Sequence, residues 1–182
     1  MTAERGRVAL FLPSLRGGGV ERVFLLLARG FLNAGYAVDL VAASLTGDYL
    51  HQVDARIRAI DLGAPSVLRS LPGLVRYLRQ NQPLFILSGM PHANTVNILA
   101  RWLSGYRGRS LVSEHNILSE VLHRKGLKER LTIRLSGFFY RFADGITVVS
   151  SLIAVELAAY HRLDPSRIRV IYNPVDLPAI RL

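Results

Sequence analysis

The sequence predicts an α/β domain of the doubly wound class, a parallel sheet covered by helices on both faces in three layers (α/β/α). Three observations predict it. Short continuous apolar runs, such as residues 7–13 (RVALFLP), suit strands that are buried on both faces. These runs alternate with segments of helical spacing, which is the order of successive βαβ units. Half of the 182 residues are apolar and a fifth are charged, enough for one sizeable core and too little chain for a second.

The elements follow in order. After the strand over residues 7–13 comes a glycine-rich turn over 14–19, then a helix over 20–32 with Val20, Phe24, Leu27 and Phe31 on one face. Asn33-Ala34-Gly35 stops it. Strands are expected over 36–43 and 56–61, a helix over 67–81 ended by Pro83, and a buried strand over 84–88. A helix over 92–103 leads to a strand over 110–113 and then Glu114-His115-Asn116. A basic, apolar segment over 120–142 precedes a strand at 145–149, a helix over 150–160 capped by Ser150 or Ser151, and a last strand at 167–171. In such sheets ligands sit beyond the carboxyl ends of the strands, so the loops after the first, fourth, fifth and sixth strands are the ones to inspect.

Composition narrows the chemistry. There is no cysteine, which excludes disulfides, thiolate metal sites and thiol catalysis. No signal-like start and no run of the ~20 apolar residues of a membrane span is present, so a cytoplasmic chain is expected. Twenty-three basic against 13 acidic residues give a formal net charge of +10. That balance suits an anionic membrane surface, phosphorylated substrates, or a merely solvated basic surface. Nucleic acid is not an expected partner, because no reading helix or aromatic-basic platform accompanies the charge.

Three segments can carry chemistry. In Pro13 to Arg22 (PSLRGGGVER), three glycines between strand and helix let the backbone approach a ligand and aim free N–H groups at it. Counted as G-x-G-x-x-G from Gly17, Arg22 stands where the last glycine belongs, and no Gly-Lys-Ser/Thr follows. The loop is therefore either an anion cradle of another kind or a plain turn. Ser113-Glu114-His115-Asn116 places polar groups at a strand's carboxyl end, where they suit sugar hydroxyls or loop carbonyls. His92 and Asn94 hold the corresponding place after the fourth strand. His51, His123 and His161 have no polar company and are expected on surfaces; no metal-ligand spacing is present. On a helix over 120–142, Leu127, Leu131, Leu135, Phe138, Phe139 and Phe142 form an apolar stripe. Arg130, Arg134 and Arg141 flank it on one side and Lys128 on the other, with Arg124 and Lys125 at the start. This basic amphipathic helix either packs its stripe on the sheet or lays it on an anionic membrane.

Five pieces occur in order: GGGVERV after the first strand, Ala-Gly-Tyr-x-Val-Asp-Leu-Val at residues 34–41, SEHN at 113–116, ADGITVVS at 143–150, and RIRVIYNPVD at 167–176. Together they resemble the N-terminal domain of retaining glycosyltransferases of the GT-B fold, group 1 (family 4), over essentially the whole chain. The resemblance implies one Rossmann-like domain of a two-domain enzyme, with residues 1–172 the N-terminal, acceptor-side domain and 173–182 the start of the interdomain linker. The donor-binding domain, with the family's paired glutamates, would lie outside this chain, which alone is expected to be inactive. By match, Gly18 and Gly19 approach the donor diphosphate and His115 lies near the transferred sugar. Arg16, Glu21, His92, Asn94, Glu114 and Asn116 are candidates for acceptor or sugar contact, and Arg124, Lys125, Lys128 and Arg130 for membrane contact. The implied reaction is hexosyl transfer from a UDP- or GDP-sugar to an acceptor hydroxyl, without a metal or tightly bound cofactor. The implied acceptor is a lipid-linked or cell-envelope glycan precursor at the inner face of the cytoplasmic membrane. Two other readings remain open: a stand-alone anion- or membrane-binding module, and half of a nucleotide-sugar epimerase.

Overall fold

The structure is a computed structural model that describes residues 5–124 and 126–175, with the backbone alone at 122–124 and 127–129. The strands are β1 (Arg7–Leu12), β2 (Ala37–Ala42), β3 (Arg58–Asp61), β4 (Phe85–Gly89), β5 (Arg109–Glu114), β6 (Gly145–Val148) and β7 (Ile168–Val170). The helices are α1 (Gly19–Asn33), α2 (Leu71–Asn81), α3 (Pro91–Ser104), α4 (Leu118–Arg124), α5 (Leu127–Tyr140) and α6 (Ser151–His161). All seven strands are parallel, in the order β3-β2-β1-β4-β5-β6-β7. The chain walks outward from β1 to β3 and returns to lay β4 on the other side of β1, so the winding reverses between β1 and β4.

The period of two along β1 divides the core. Val8, Leu10 and Leu12 face the layer of α1, with Phe24, Leu25 and Ala28, while Ala9 and Phe11 face α2 and α3. Leu10 pairs with Leu40 of β2 and Leu87 of β4. Burying each such side chain contributes ~1.5–3 kcal/mol. A third cluster joins Val112, Ile146 and Val148 to Tyr140 of α5 and Ile153 and Leu157 of α6. β2 also holds Asp39, fully buried, which takes hydrogen bonds from Arg7 at 2.5 Å, Tyr77 at 2.6 Å and Arg58. This carboxylate ties β1, β3 and α2 together at the β2 position the motif at 34–41 contains.

The expected elements all form, with shifts at their ends and two substantive differences. Ser150 is the N-cap of α6, its Oγ accepting from Ile153 N–H at 3.3 Å. The segment at 120–142 is two helices rather than one, because Gly126 takes an extended conformation as the N-cap of α5. And α5 does not pack by its apolar stripe. Its buried side is Ile133, Ser136 and Tyr140, whereas Leu131, Leu135, Phe138 and Phe142 point outward; of the stripe, Phe139 joins the third cluster as a partly buried member.

Candidate functional site

β1, β4 and β5 end along one edge of the sheet, at the reversal of winding where doubly wound sheets bind ligands. Three loops meet there. The first turns of α1 press on the end of β4, since a Cβ on Gly89 would lie 2.8 Å from the Phe24 ring and 2.9 Å from Val20. The Phe24 ring is in turn 6.2 Å from the ring of His115, which follows β5. Only glycine at 89 lets α1 come this close.

The loop after β1 is not a plain turn. Leu15 is buried and doubly tethered: its N–H donates to the Thr46 carbonyl at 2.9 Å, and its own carbonyl accepts from Tyr49 N–H at 3.0 Å. Gly47, at φ +127°, passes directly beneath, where a Cβ would strike the Leu15 carbonyl. On this anchored base Arg16, Gly17, Gly18 and Gly19 stand exposed at the tip. Glu21, in the first turn of α1, is only 5% exposed, and its Oε2 has no hydrogen-bond partner. That oxygen lies so close to Gly18 that a Cβ there would collide with it. The carboxylate offsets part of the positive end of the helix dipole and leaves a buried acceptor without a donor.

His115 is half-buried, with Nε2 2.9 Å from the Ser113 hydroxyl. Burial lowers its pKa to about 4, so at neutral pH it is an uncharged imidazole, suited to hydrogen-bonding a hydroxyl. Asn116 is exposed beside it, and His92 is exposed in the first turn of α3. The turn into α3 places Met90 at φ +79°, a strained conformation for a residue with a side chain, of the kind that collects at functional sites.

Two expected ligand contacts are corrected. Asn94 is fully buried, and its amide is spent inside the protein. Its Oδ1 accepts from Ser88 Oγ at 2.8 Å, while Nδ2 reaches the Ser113 carbonyl and Tyr140 Oη at 3.0 Å and Glu114 Oε1 at 3.2 Å. Glu114 points inward as well, accepting from the Tyr140 hydroxyl. Both are buried in hydrogen bonds that fasten α3 and α5 to the end of β5, next to His115. Burial raises the Glu114 pKa to about 7, against the lowering effect of the Tyr140 and Asn94 hydrogen bonds. A cavity of about 40 Å³ beside it, bounded by Asn116, Ser136 and His161, has room for a water molecule.

His161 is a further correction. It is buried, and its ring fills the space that the missing side chain of Gly137 leaves on α5. Burial, then the nearby Arg141, lowers its pKa to about 4. His51 is exposed, as expected, and His123 lies outside the described side chains. Of the four residues expected at a membrane, Arg130 is exposed on α5, whereas Lys125 and the side chains of Arg124 and Lys128 lie outside the described residues. Among the described residues no group of His, Asp and Glu could hold a metal ion. The polar knot itself, with Ser88, Asn97 and Tyr140, was not anticipated; its trace in the sequence is Asn94 and Asn97, three apart and interleaved with Ala93, Val96, Ile98 and Ala100.

Solved structures share the fold. The lipopolysaccharide outer core galactosyltransferase WaaB, in its apo form, superposes with a TM-score of 0.69 at 18% identity, over 93% of this chain and 46% of that one. HepE of Anabaena, in complex with UDP-glucose, gives 0.72 at 17% identity, over 96% and 45%. MurG of Acinetobacter baumannii gives 0.62 at 17% identity, over 97% and 47%. The chain thus spans about half the length of these structures. A sequence search of curated proteins found no match. Glycosyltransferase Family 4 matches residues 17–178, from the exposed glycines through His115 to beyond β7, and the chain belongs to that family, with the fold of a GT-B glycosyltransferase domain.

Proposed function

We infer that this domain is the acceptor-side half of a retaining glycosyltransferase that moves a hexose from a UDP- or GDP-sugar to an acceptor hydroxyl. A second domain, beyond the linker that begins near Asn173, carries most of the donor site. The observation that supports this best is the convergence of the exposed Gly17–Gly19 tip, the unpartnered Glu21 carboxylate and the neutral His115 at the reversal of winding. Free backbone N–H groups at Gly18 and Gly19 suit an oxygen of the departing diphosphate. Glu21 lacks a donor, which a sugar hydroxyl supplies. His115, held by Ser113, offers its other ring nitrogen to the transferred sugar, and Arg16, His92 and Asn116 border the acceptor. WaaB is a lipopolysaccharide outer core galactosyltransferase, so a lipid-linked or cell-envelope glycan precursor is the acceptor to try first.

The test is a transfer assay on the full-length protein, with a panel of nucleotide-sugars and a membrane extract as acceptor. Transfer from one donor, lost when the protein is cut after Leu182, supports the reading. No transfer from any donor, with anion or vesicle binding retained, favours a binding module instead.

A further inference from the structure

A directed run of buried hydrogen bonds leads from α3 to the strand end that carries His115. Asn97 Nδ2 donates to Ser88 Oγ at 3.0 Å, Ser88 Oγ donates to Asn94 Oδ1 at 2.8 Å, and Asn94 Nδ2 donates to the Ser113 carbonyl at 3.0 Å. This order fixes the Asn94 amide, because its oxygen takes the Ser88 proton and both its hydrogens face acceptors. The second hydrogen is shared between Tyr140 Oη and Glu114 Oε1. Ser113 is thus held at two points: Asn94 takes its carbonyl, and its hydroxyl lies 2.9 Å from His115 Nε2. Ser88, Asn94 and Tyr140 are fully buried and Ser113 and Glu114 nearly so, whereas His115 is half-buried. Polar groups are an expensive way to hold a helix on a sheet, since apolar ones of the same shape can do it at no loss of stability. Here Asn97 Oδ1 is even left without a partner. What the polar run adds is orientation: it holds the peptide between Ser113 and Glu114, one residue ahead of His115, in one direction.

We propose that Asn94 is a positioning residue for transfer: by holding the Ser113 carbonyl it keeps the Ser113 hydroxyl on His115 Nε2 and so aims the other ring nitrogen at the transferred sugar. Asn94 touches no ligand itself and acts through Ser113. The proposal rests on the reading above that His115 meets the transferred sugar. Without the Asn94 amide the Ser113 carbonyl has lost a buried donor, and the peptide after it is free to turn toward water. The Ser113 hydroxyl then leaves the ring, and the ring drifts outward. A misplacement of about 1 Å is enough to slow a reaction severely.

The test compares three variants of the full-length protein by steady-state sugar transfer and by NMR titration of its isotope-labelled histidines. In the native protein burial holds the His115 ring at about 4. Asn94→Leu should lower kcat about tenfold, with KM for the nucleotide-sugar within about twofold of the native value. Its His115 ring, now wetter, should titrate closer to an ordinary 6.5. Ser88→Ala removes only the hydroxyl that steadies the Asn94 amide. It should move both readouts the same way by less, about threefold in kcat, and it carries the test if Asn94→Leu does not fold. Tyr77→Phe is the control: it gives up a buried hydrogen bond to Asp39, away from β5, and should lower the melting temperature while changing neither readout. Native kcat together with native His115 titration in a folded Asn94→Leu or Ser88→Ala variant overturns the proposal. So does a Tyr77→Phe variant that moves kcat and His115 as far as Asn94→Leu does, which makes the effect one of general stability. A shifted His115 titration with native kcat shows that Asn94 holds the ring, and sinks instead the reading that the ring acts in transfer.

Discussion

Replacing Glu114 by glutamine removes a charge from the interior while keeping the shape of the side chain. Glu114 Oε1 accepts from Tyr140 and Asn94, and an amide oxygen can keep both bonds. The folded protein holds this carboxyl at about 7 instead of an ordinary 4.5, which at ~1.4 kcal/mol per pH unit is worth about 3 kcal/mol. The sign follows from proton uptake. Between pH 4.5 and 7 the folded state keeps the proton that the unfolded chain has released, so stability falls as pH rises through that window. Below it the wild type and Glu114→Gln should be nearly equal in stability. Above pH 7 the variant should be more stable by up to about 3 kcal/mol. His115 and His161, both lowered to about 4, act the other way over much of the same range, adding stability as pH rises. The raw pH curve of the wild type is therefore not diagnostic, whereas the difference between the two proteins is, because the histidines are common to both. Urea denaturation at four pH values from 5 to 8 reads it. A difference that stays flat with pH, or a variant less stable at pH 8, would refute the claim that burial dominates at Glu114.

Three further outcomes follow from the packing. Asp39→Ala strands the buried Tyr77 hydroxyl and two arginines, and should cost about 3 kcal/mol in chemical denaturation, the lower end for a broken buried pair because Arg7 and Arg58 reach solvent. Gly137→Ala drives a Cβ into the His161 ring and should lower the melting temperature despite alanine's better helix propensity; adding His161→Ala should restore most of the loss. Gly89→Ala meets Phe24 and Val20 below 3 Å and should displace the start of α1, reducing sugar transfer by the full-length protein more than it reduces stability.

Much of the fold could be read from the sequence because parallel strands buried on both faces carry long apolar runs, and here glycine and proline punctuate them. The site was legible where it depends on local chain chemistry: the glycine tip and His115 lie at strand ends that the βαβ order already fixes. It was illegible where polar side chains are satisfied by partners distant in sequence. Asn94 and Glu114 read as ligand groups, yet Tyr140, 46 and 26 positions away, uses them up. His161 read as a surface residue because nothing local shows that Gly137 makes room for its ring. The direction of α5 was likewise undecided, since its stripe fits either a core or a membrane. It is settled by Tyr140 and Ser136, polar residues drawn inward by the knot and cavity at Glu114.

The most direct test of the central claim, that transfer takes place at the ends of β1, β4 and β5, is the turnover of the full-length protein carrying His115→Ala. Turnover should fall about a hundredfold, the usual effect of removing one well-placed hydrogen-bonding group, with the melting temperature unchanged. Unchanged turnover in a folded variant would contradict the account and return His115 to a purely structural contact with Ser113.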